Sequence, residues 1–172
     1  MKKITTLLAA IVVCLATTVT ASAQIENTLP KEFYGCTLDM TTNLEAKSIL
    51  VSHGFVPGDY GQDYYITDPK FDDIKYDLAL FEFTPYDQAC SKFSCITFLK
   101  SDLSKKNAIK FAKKVHAKLD KRYTLIKKTV DGLDCYFTSS DGRTLTLLVG
   151  KNLDDDKYQV SLAVELGTPK LK

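Results

Sequence analysis

Apolar and polar residues alternate without a break near the end of the chain. From Tyr158 to Leu166 every second residue is apolar, while Gln159, Ser161 and Glu165 occupy positions between them. Successive side chains of a β-strand point to opposite faces, so this pattern predicts a strand with one buried face. Three earlier segments also have the composition of strands: YTLIKKTV, LDCYFTS and RTLTLLVG, joined through the hairpin signals Asp131-Gly132 and Asp141-Gly142.

Two other segments have the period of a helix. The first begins at the sequence Thr42-Asn43-Leu44-Glu45, which matches a capping box, and Gly54 suits the left-handed position that ends a helix. The second is predicted from about Ser104 to Arg122 and is strongly basic. Its apolar stripe consists of Ile109, Ala112, Val115 and Leu119.

Between the two helices, three segments are rich in Tyr, Ile, Phe and Thr and predict strands: DYYITD, IKYDLALFEFT and SCITFLK. The predicted order of elements is therefore α-βββ-α-ββββ. A helix followed by an antiparallel meander, twice in succession, predicts an α+β domain. We expect its two helices to pack on one face of a largely antiparallel sheet.

The N-terminus has the three parts of a secretory signal peptide. Two lysines follow Met1, an apolar region comes next, and the sequence ASAQ contains the cleavage site. The uninterrupted apolar core is shorter than the roughly 20 residues that span a bilayer. We predict a signal peptide at residues 1–23, a flexible leader at 24–32 and a single domain at 33–172. The protein is then exported, to the periplasm or outside the cell.

The segment EFYGCTLDMTTNLEAKSILVSHGF resembles small exported proteins of Bacteroidetes bacteria, in which a short aromatic-glycine segment leads into a capped helix that ends in Gly-Phe. The strand KFSCITF and the basic second helix also fit the layout of those proteins. Several of them are similar to the β-lactamase-inhibitor-protein architecture, a helix-plus-meander unit used in tandem. The resemblance implies this fold for most of the exported chain. No functional residue is carried over from it.

Four cysteines remain beyond the predicted cleavage site: Cys36, Cys90, Cys95 and Cys135. An even number of cysteines in an oxidising compartment favours disulfides. A zinc site would ordinarily have tighter Cys-x-x-Cys spacing, and a thioredoxin-like pair needs that motif at a helix N-terminus. Three pairings are open, and we favour Cys36 with Cys135 and Cys90 with Cys95. No metal or other cofactor is predicted.

Histidines and acidic residues supply the remaining candidates for chemistry. His53 is predicted at the end of the first helix and His116 beside the apolar stripe of the second, and neither belongs to a recognisable catalytic motif. Residues 152–156 have the ligand spacing of a calcium loop, but Lys157 stands where an EF-hand has glycine. We therefore predict an exposed acidic turn there and assign no catalytic residue.

Charge is segregated along the chain. The signal peptide contains two lysines and no acidic residue, so the exported chain carries 21 basic and 21 acidic residues. Residues 100–128 contain eleven basic and two acidic residues, whereas residues 55–90 contain eight acidic and two basic ones. Such a basic helix is either a solvated face or a binding face for an anionic partner. The candidate face consists of Lys106, Lys110, Lys113, Lys114, Lys118 and Lys121.

These patterns favour a noncatalytic binding or inhibitory module of the bacterial envelope, whose partner is a protein or an anionic envelope component. Export and the scarcity of aromatic residues on the second helix argue against nucleic acid. No transmembrane segment is predicted in the exported chain. The alternative is an envelope hydrolase with catalytic residues scattered along the sequence. A pocket that joins His53 or His116 to a carboxylate would favour the hydrolase.

Overall fold

The computed structural model describes residues 28–58, 63–84, 90–123, 127–128, 135–139, 141–152 and 156–166. The predicted signal peptide and the start of the leader lie outside these residues. The two described helices are α1 (Asn43–Ser52) and α2 (Lys105–Arg122). The described strands are β1 (Glu32–Phe33), β2 (Cys36–Thr37), β3 (Val56–Pro57), β4 (Tyr64–Thr67), β5 (Lys70–Phe71), β6 (Ile74–Lys75), β7 (Leu78–Thr84), β8 (Lys92–Leu103), β9 (Lys127–Lys128), β10 (Cys135–Thr138), β11 (Arg143–Lys151) and β12 (Tyr158–Leu166).

Within the described ranges, eight strands form the main sheet in the order β3-β4-β7-β8-β12-β11-β10-β9, and every neighbouring pair is antiparallel. Two short hairpins, β1–β2 and β5–β6, pair outside this sheet. Two helices with a largely antiparallel sheet confirm the predicted α+β class. The strand order is richer than predicted, because β1 and β2 precede α1 and the segment IKYDLALFEFT contains both β6 and β7.

The capping box predicted for α1 is present. The Thr42 hydroxyl accepts a hydrogen bond from the backbone N–H of Glu45 at 3.3 Å, and the Glu45 carboxylate accepts one from the backbone N–H of Thr42 at 2.9 Å. These bonds satisfy N–H groups that have no partner inside the helix. Gly54, with a φ of +85°, follows the helix in the left-handed conformation. The helix buries Ala46 and Leu50.

α2 begins one residue after Ser104, whose hydroxyl accepts a hydrogen bond from the backbone N–H of Asn107 at 3.3 Å. Its buried residues are Ala108, Ala112, Val115 and Leu119, and the helix contacts β8, β11 and β12. Ala108 therefore takes the place that the sequence analysis gave to Ile109, which is half-buried. At about 100° per residue, Ala108, four residues before Ala112, lies closer to the centre of the buried face than Ile109, which is three residues before it.

The core face of the main sheet consists of cross-strand rows of apolar residues. One row crosses β7, β8, β12 and β11 through Phe81, Ile96, Val164 and Leu145. The next row crosses the same strands through Ala79, Phe98, Leu162 and Leu147. Each of these side chains is buried, and full burial of a large apolar side chain stabilises a fold by about 1.5–3 kcal/mol. Leu29, from the stretch predicted as a leader, is also buried with this core.

The two predicted disulfides are wrong, because no two of the described cysteines are bonded. Cys95 lies inside β8, while Cys90 precedes the strand. At about 3.3 Å per residue, the part of β8 between Lys92 and Cys95 alone spans about 10 Å. The two Cα atoms of a disulfide are within about 7 Å of each other, so an extended segment between the two cysteines disfavours this pairing.

Topology separates the other predicted pair. Cys36 lies in the β1–β2 hairpin. The chain just after this hairpin is held to β8 by a hydrogen bond from the Asp39 N–H to the Phe93 carbonyl at 2.8 Å. Cys135 lies on β10, three strands away from β8 in the main sheet. Three strand spacings of about 4.8 Å amount to about 14 Å, which exceeds the reach of a disulfide.

Candidate functional site

Five lysines of α2 form an exposed row along one side of the helix, here called the lysine stripe. At about 100° per residue they fall within a sector of about 100°, opposite the buried Ala112 and Val115. From first to last they extend over about 22 Å, at about 1.5 Å per residue. None of them forms an ion pair with another residue of the described chain. The members are Lys106, Lys110, Lys113, Lys114 and Lys121.

Lys118, which the sequence analysis included in the same face, is bound elsewhere. Its ammonium group donates to the backbone carbonyl of Asp72 at 2.7 Å and lies 3.7 Å from a carboxylate oxygen of Asp73. Arg122, one turn further along α2, forms an ion pair with the Asp72 carboxylate. These two cations hold the turn between β5 and β6 against the end of α2, so Lys118 does not belong to the lysine stripe.

The two histidines occupy separate places. His53 caps the end of α1, and its ring lies 5.9 Å from that of Tyr34 in an edge-on contact. His116 lies on the flank of α2, where its Nδ1 is 2.9 Å from a carboxylate oxygen of Asp120, one turn along the helix. Neither histidine lines the cavity described below. This cavity therefore does not join either histidine to a carboxylate.

The acidic turn after β11 closes a hairpin. The backbone N–H of Asn152 donates to the carbonyl of Lys157 at 2.9 Å, and Asp156 forms an ion pair with Lys151 at 2.6 Å. Residues 153–155, which complete the calcium-like spacing, lie outside the described residues. Across the ranges that the structure describes, no group of three or more His, Cys, Asp and Glu side chains is gathered to hold a metal ion.

The face of the main sheet opposite the core carries an acidic row. Glu82, Cys95 and Glu165 are cross-strand neighbours on β7, β8 and β12. Burial raises the pKa of Glu82, a hydrogen bond with Cys95 opposes this, and the charges of Asp63 and Glu165 raise the pKa further. Burial also raises the pKa of the Cys95 thiol to about 12. The thiol is protonated at neutral pH and is therefore a poor nucleophile.

A cavity of about 290 Å³, here called the hairpin cavity, lies where the two short hairpins meet the end of α2. Phe98 of β8 and Arg122 of α2 contribute to its wall. This site was not predicted from the sequence, because hairpins with strands of two residues show no hydrophobic period. Their available signal was two consecutive turn residues with a single apolar residue on each side. The hairpins contribute Glu32, Phe33, Tyr34, Lys70, Phe71 and Asp72.

No protein-family model, no curated protein and no solved structure matches this chain. In the part of the chain that the structure describes, neither helix combines the length and the apolar character needed to cross a membrane.

Proposed function

We propose that this chain is an exported, noncatalytic binding module that docks on anionic lipid of the bacterial envelope through the lysine stripe. The division of the basic residues of α2 is the observation that carries this proposal. Lys118 and Arg122 are bound to the β5–β6 turn. The five lysines of the stripe are exposed and form no ion pair within the described chain. Export follows from the signal peptide predicted at residues 1–23.

Two helices on the core face of the sheet would turn the lysine stripe outward. Two sets of aromatic contacts support this packing. The ring of Phe111 on α2 lies 5.5 Å from that of Tyr76, which in turn lies 5.4 Å from the core residue Phe98. At the end of α1, the ring of Tyr34 lies 5.9 Å from that of His53 and 6.0 Å from that of Phe81, which belongs to the same face of the sheet.

The shape and composition of the lysine stripe favour a flat, negatively charged surface. The stripe is straight, about 22 Å long, and encloses Ala117 but no large apolar side chain. Attachment would therefore be electrostatic and would not require insertion into the hydrocarbon. A lysine near an anionic lipid surface contributes about 1 kcal/mol, so five lysines contribute roughly 5 kcal/mol. This magnitude gives reversible attachment that weakens as salt screens the charges.

A vesicle co-sedimentation experiment tests this proposal. The purified exported chain is mixed with phosphatidylglycerol vesicles or with phosphatidylcholine vesicles at low and at physiological salt. The test variant is K110E/K113E, and the control is K31E/K47E, which changes the net charge equally at exposed positions outside the stripe. Loss of two lysine contributions predicts binding to phosphatidylglycerol that is at least about 30-fold weaker for the test variant. The control should bind much as the original protein does.

Three results would contradict the proposal. The first is equal binding to the two kinds of vesicle, and the second is an equal loss of binding in the two double variants. The third is tighter binding to soluble polygalacturonate than to the vesicles, which would assign the lysine stripe to an acidic glycan. Circular dichroism should show the same fold for all three proteins, because exposed charge changes usually alter stability by less than about 0.5 kcal/mol each.

A further inference from the structure

We propose that the hairpin cavity binds a neutral, polyhydroxylated ring, that is, one sugar unit of a glycan. This site is separate from the lysine stripe and would give the module a second, uncharged ligand. Its volume of about 290 Å³ lies at the lower end of the range for small-molecule pockets. The cavity therefore suits a single ring better than an extended chain.

Aromatic side chains form much of the cavity wall. Phe33 and Phe71 stack with ring centroids 6.2 Å apart, and Phe98 lies 5.2 Å from Phe71. Tyr34 joins them from the turn of the β1–β2 hairpin. A sugar ring presents C–H groups on its faces and hydroxyl groups at its edge. The apolar wall can cover a ring face, while polar groups at the rim meet the hydroxyls.

Asp72 and Arg122 supply the polar groups. The Asp72 side chain is only 9% exposed, and its Oδ2 atom is buried without a hydrogen-bond partner in the described chain. A buried carboxylate oxygen without a donor is costly, so a small shift of the Asp72 side chain that lets a ligand in the cavity donate to it is favoured. The Arg122 guanidinium beside it can only donate. A hydroxyl group both donates and accepts, and a pair of adjacent hydroxyls can therefore satisfy both residues.

The charges around the cavity favour a neutral ligand. Glu32 and Asp72 are negative, whereas Lys70 and Arg122 are positive, so the four charged lining side chains sum to zero. An amine would be attracted by the two anions but repelled by the two cations, and the reverse holds for a carboxylate. A polyhydroxylated ring without charge avoids both conflicts and keeps its hydrogen bonds.

The turns of the two hairpins adopt the left-handed backbone conformation, which is unfavourable for a residue such as Tyr. Tyr34 has a φ of +50°, and Asp72 and Asp73 have φ values of +49° and +60°. Two-residue turns that need positive φ at both positions usually contain Asn-Gly, and a bulky residue such as Tyr is rare there. Strained residues of this kind cluster at ligand sites, where the surrounding structure fixes them. Here the contacts of Lys118 and Arg122 fix the β5–β6 turn.

Calorimetric titration with three matched hexoses tests the charge argument. The exported protein is titrated with glucose, galactose and mannose, and with the uronate and the amino sugar of each ring. For at least one ring, the neutral sugar should bind at least about tenfold more tightly than its two charged forms, since an unmatched charge loses a charge-assisted hydrogen bond. Failure of all neutral sugars to bind, or equal binding of the charged forms, would overturn the proposal.

Two neighbouring aspartates provide a variant and its control. D72N should weaken binding by about tenfold, because an amide replaces the buried carboxylate acceptor. D73N changes the same turn at a side chain that is 97% exposed and should leave binding unchanged. Asparagine tolerates the left-handed conformation at both positions. Equal effects of the two variants would contradict the site.

A measurement on the unmodified protein remains decisive even if D72N does not fold. Titration with the neutral sugar should shift the aromatic NMR signals of Tyr34 and Phe71. A sugar that binds while these signals stay fixed binds elsewhere, and this result would overturn the assignment.

Discussion

Leu147 and Leu148 are neighbours on β11 but have opposite environments, so replacing each with alanine tests the register of the main sheet. Leu147 is fully buried between Leu162 on β12 and Cys135 on β10. Leu148 points to the other face, opposite Ser161, and is 37% exposed. A shift of the register by one residue would exchange the two environments.

The expected losses differ severalfold. Leu→Ala changes at buried core sites remove apolar contacts and leave a cavity, and typically cost about 3–5 kcal/mol. Leu147 has strands on both sides, and its strand contacts α2, so the site has little freedom to collapse. For a domain of this size each kcal/mol lowers the melting temperature by about 2–4 °C, so L147A should lose about 6–20 °C. L148A removes a partly exposed side chain and should cost less than about 1.5 kcal/mol.

Urea unfolding followed by far-UV circular dichroism measures both variants, since the chain contains no tryptophan to report by fluorescence. The midpoint should fall strongly for L147A and little for L148A, with similar slopes for the two proteins. Equal losses would mean that both faces of β11 are covered equally. A larger loss for L148A would mean that the core lies on the other face of the sheet.

Two further predictions concern pH. Glu82→Gln should raise the melting temperature at neutral pH and have no effect below about pH 4. Because the pKa of Glu82 is raised in the folded state, the protonated side chain contributes to stability at pH values below the unfolded pKa. This contribution is lost as pH rises through the folded pKa. Asp77→Asn should have the opposite profile and destabilise the protein at neutral pH but not in acid. Partial burial raises the pKa of Asp77. Hydrogen bonds from the Lys100 ammonium and from the Ser101 N–H, the latter at 2.8 Å, outweigh this effect and lower the pKa overall. Its contribution to stability is lost as pH falls through the folded pKa. Thermal melts of each variant from acid to neutral pH check both profiles, and melting differences that do not change with pH would contradict them.

Local patterns predicted the elements that are long enough to repeat. β12 occupies Tyr158–Leu166, as the alternation predicted, and α2 runs from Lys105 to Arg122 with Ser104 as its cap. The capping box at Thr42 also lies where its sequence indicated. Each of these signals depends on residues within one or two turns, or within one strand, of each other.

Features that depend on distant residues could not be predicted in the same way. Lys118 was assigned to the basic face because its partners, Asp72 and Asp73, lie more than 40 positions earlier in the chain. The cysteine pairing failed because parity and compartment say nothing about distance across a sheet. The row of Glu82, Cys95 and Glu165 requires the register of three strands. A strand sequence alone gives the face on which a residue lies but not its cross-strand neighbour.

The basic residues of α2 serve two surfaces because the helix turns by about 100° per residue. Arg122 points roughly 130° around the helix axis from the middle of the lysine stripe, towards the hairpin cavity. A flat surface that contacts the stripe therefore does not face the cavity. The Asp72 carboxylate also neutralises Arg122, which keeps the cavity uncharged beside a strongly basic helix. This arrangement is compatible with attachment to an anionic surface through one side of α2 while a neutral ligand occupies the cavity at its end.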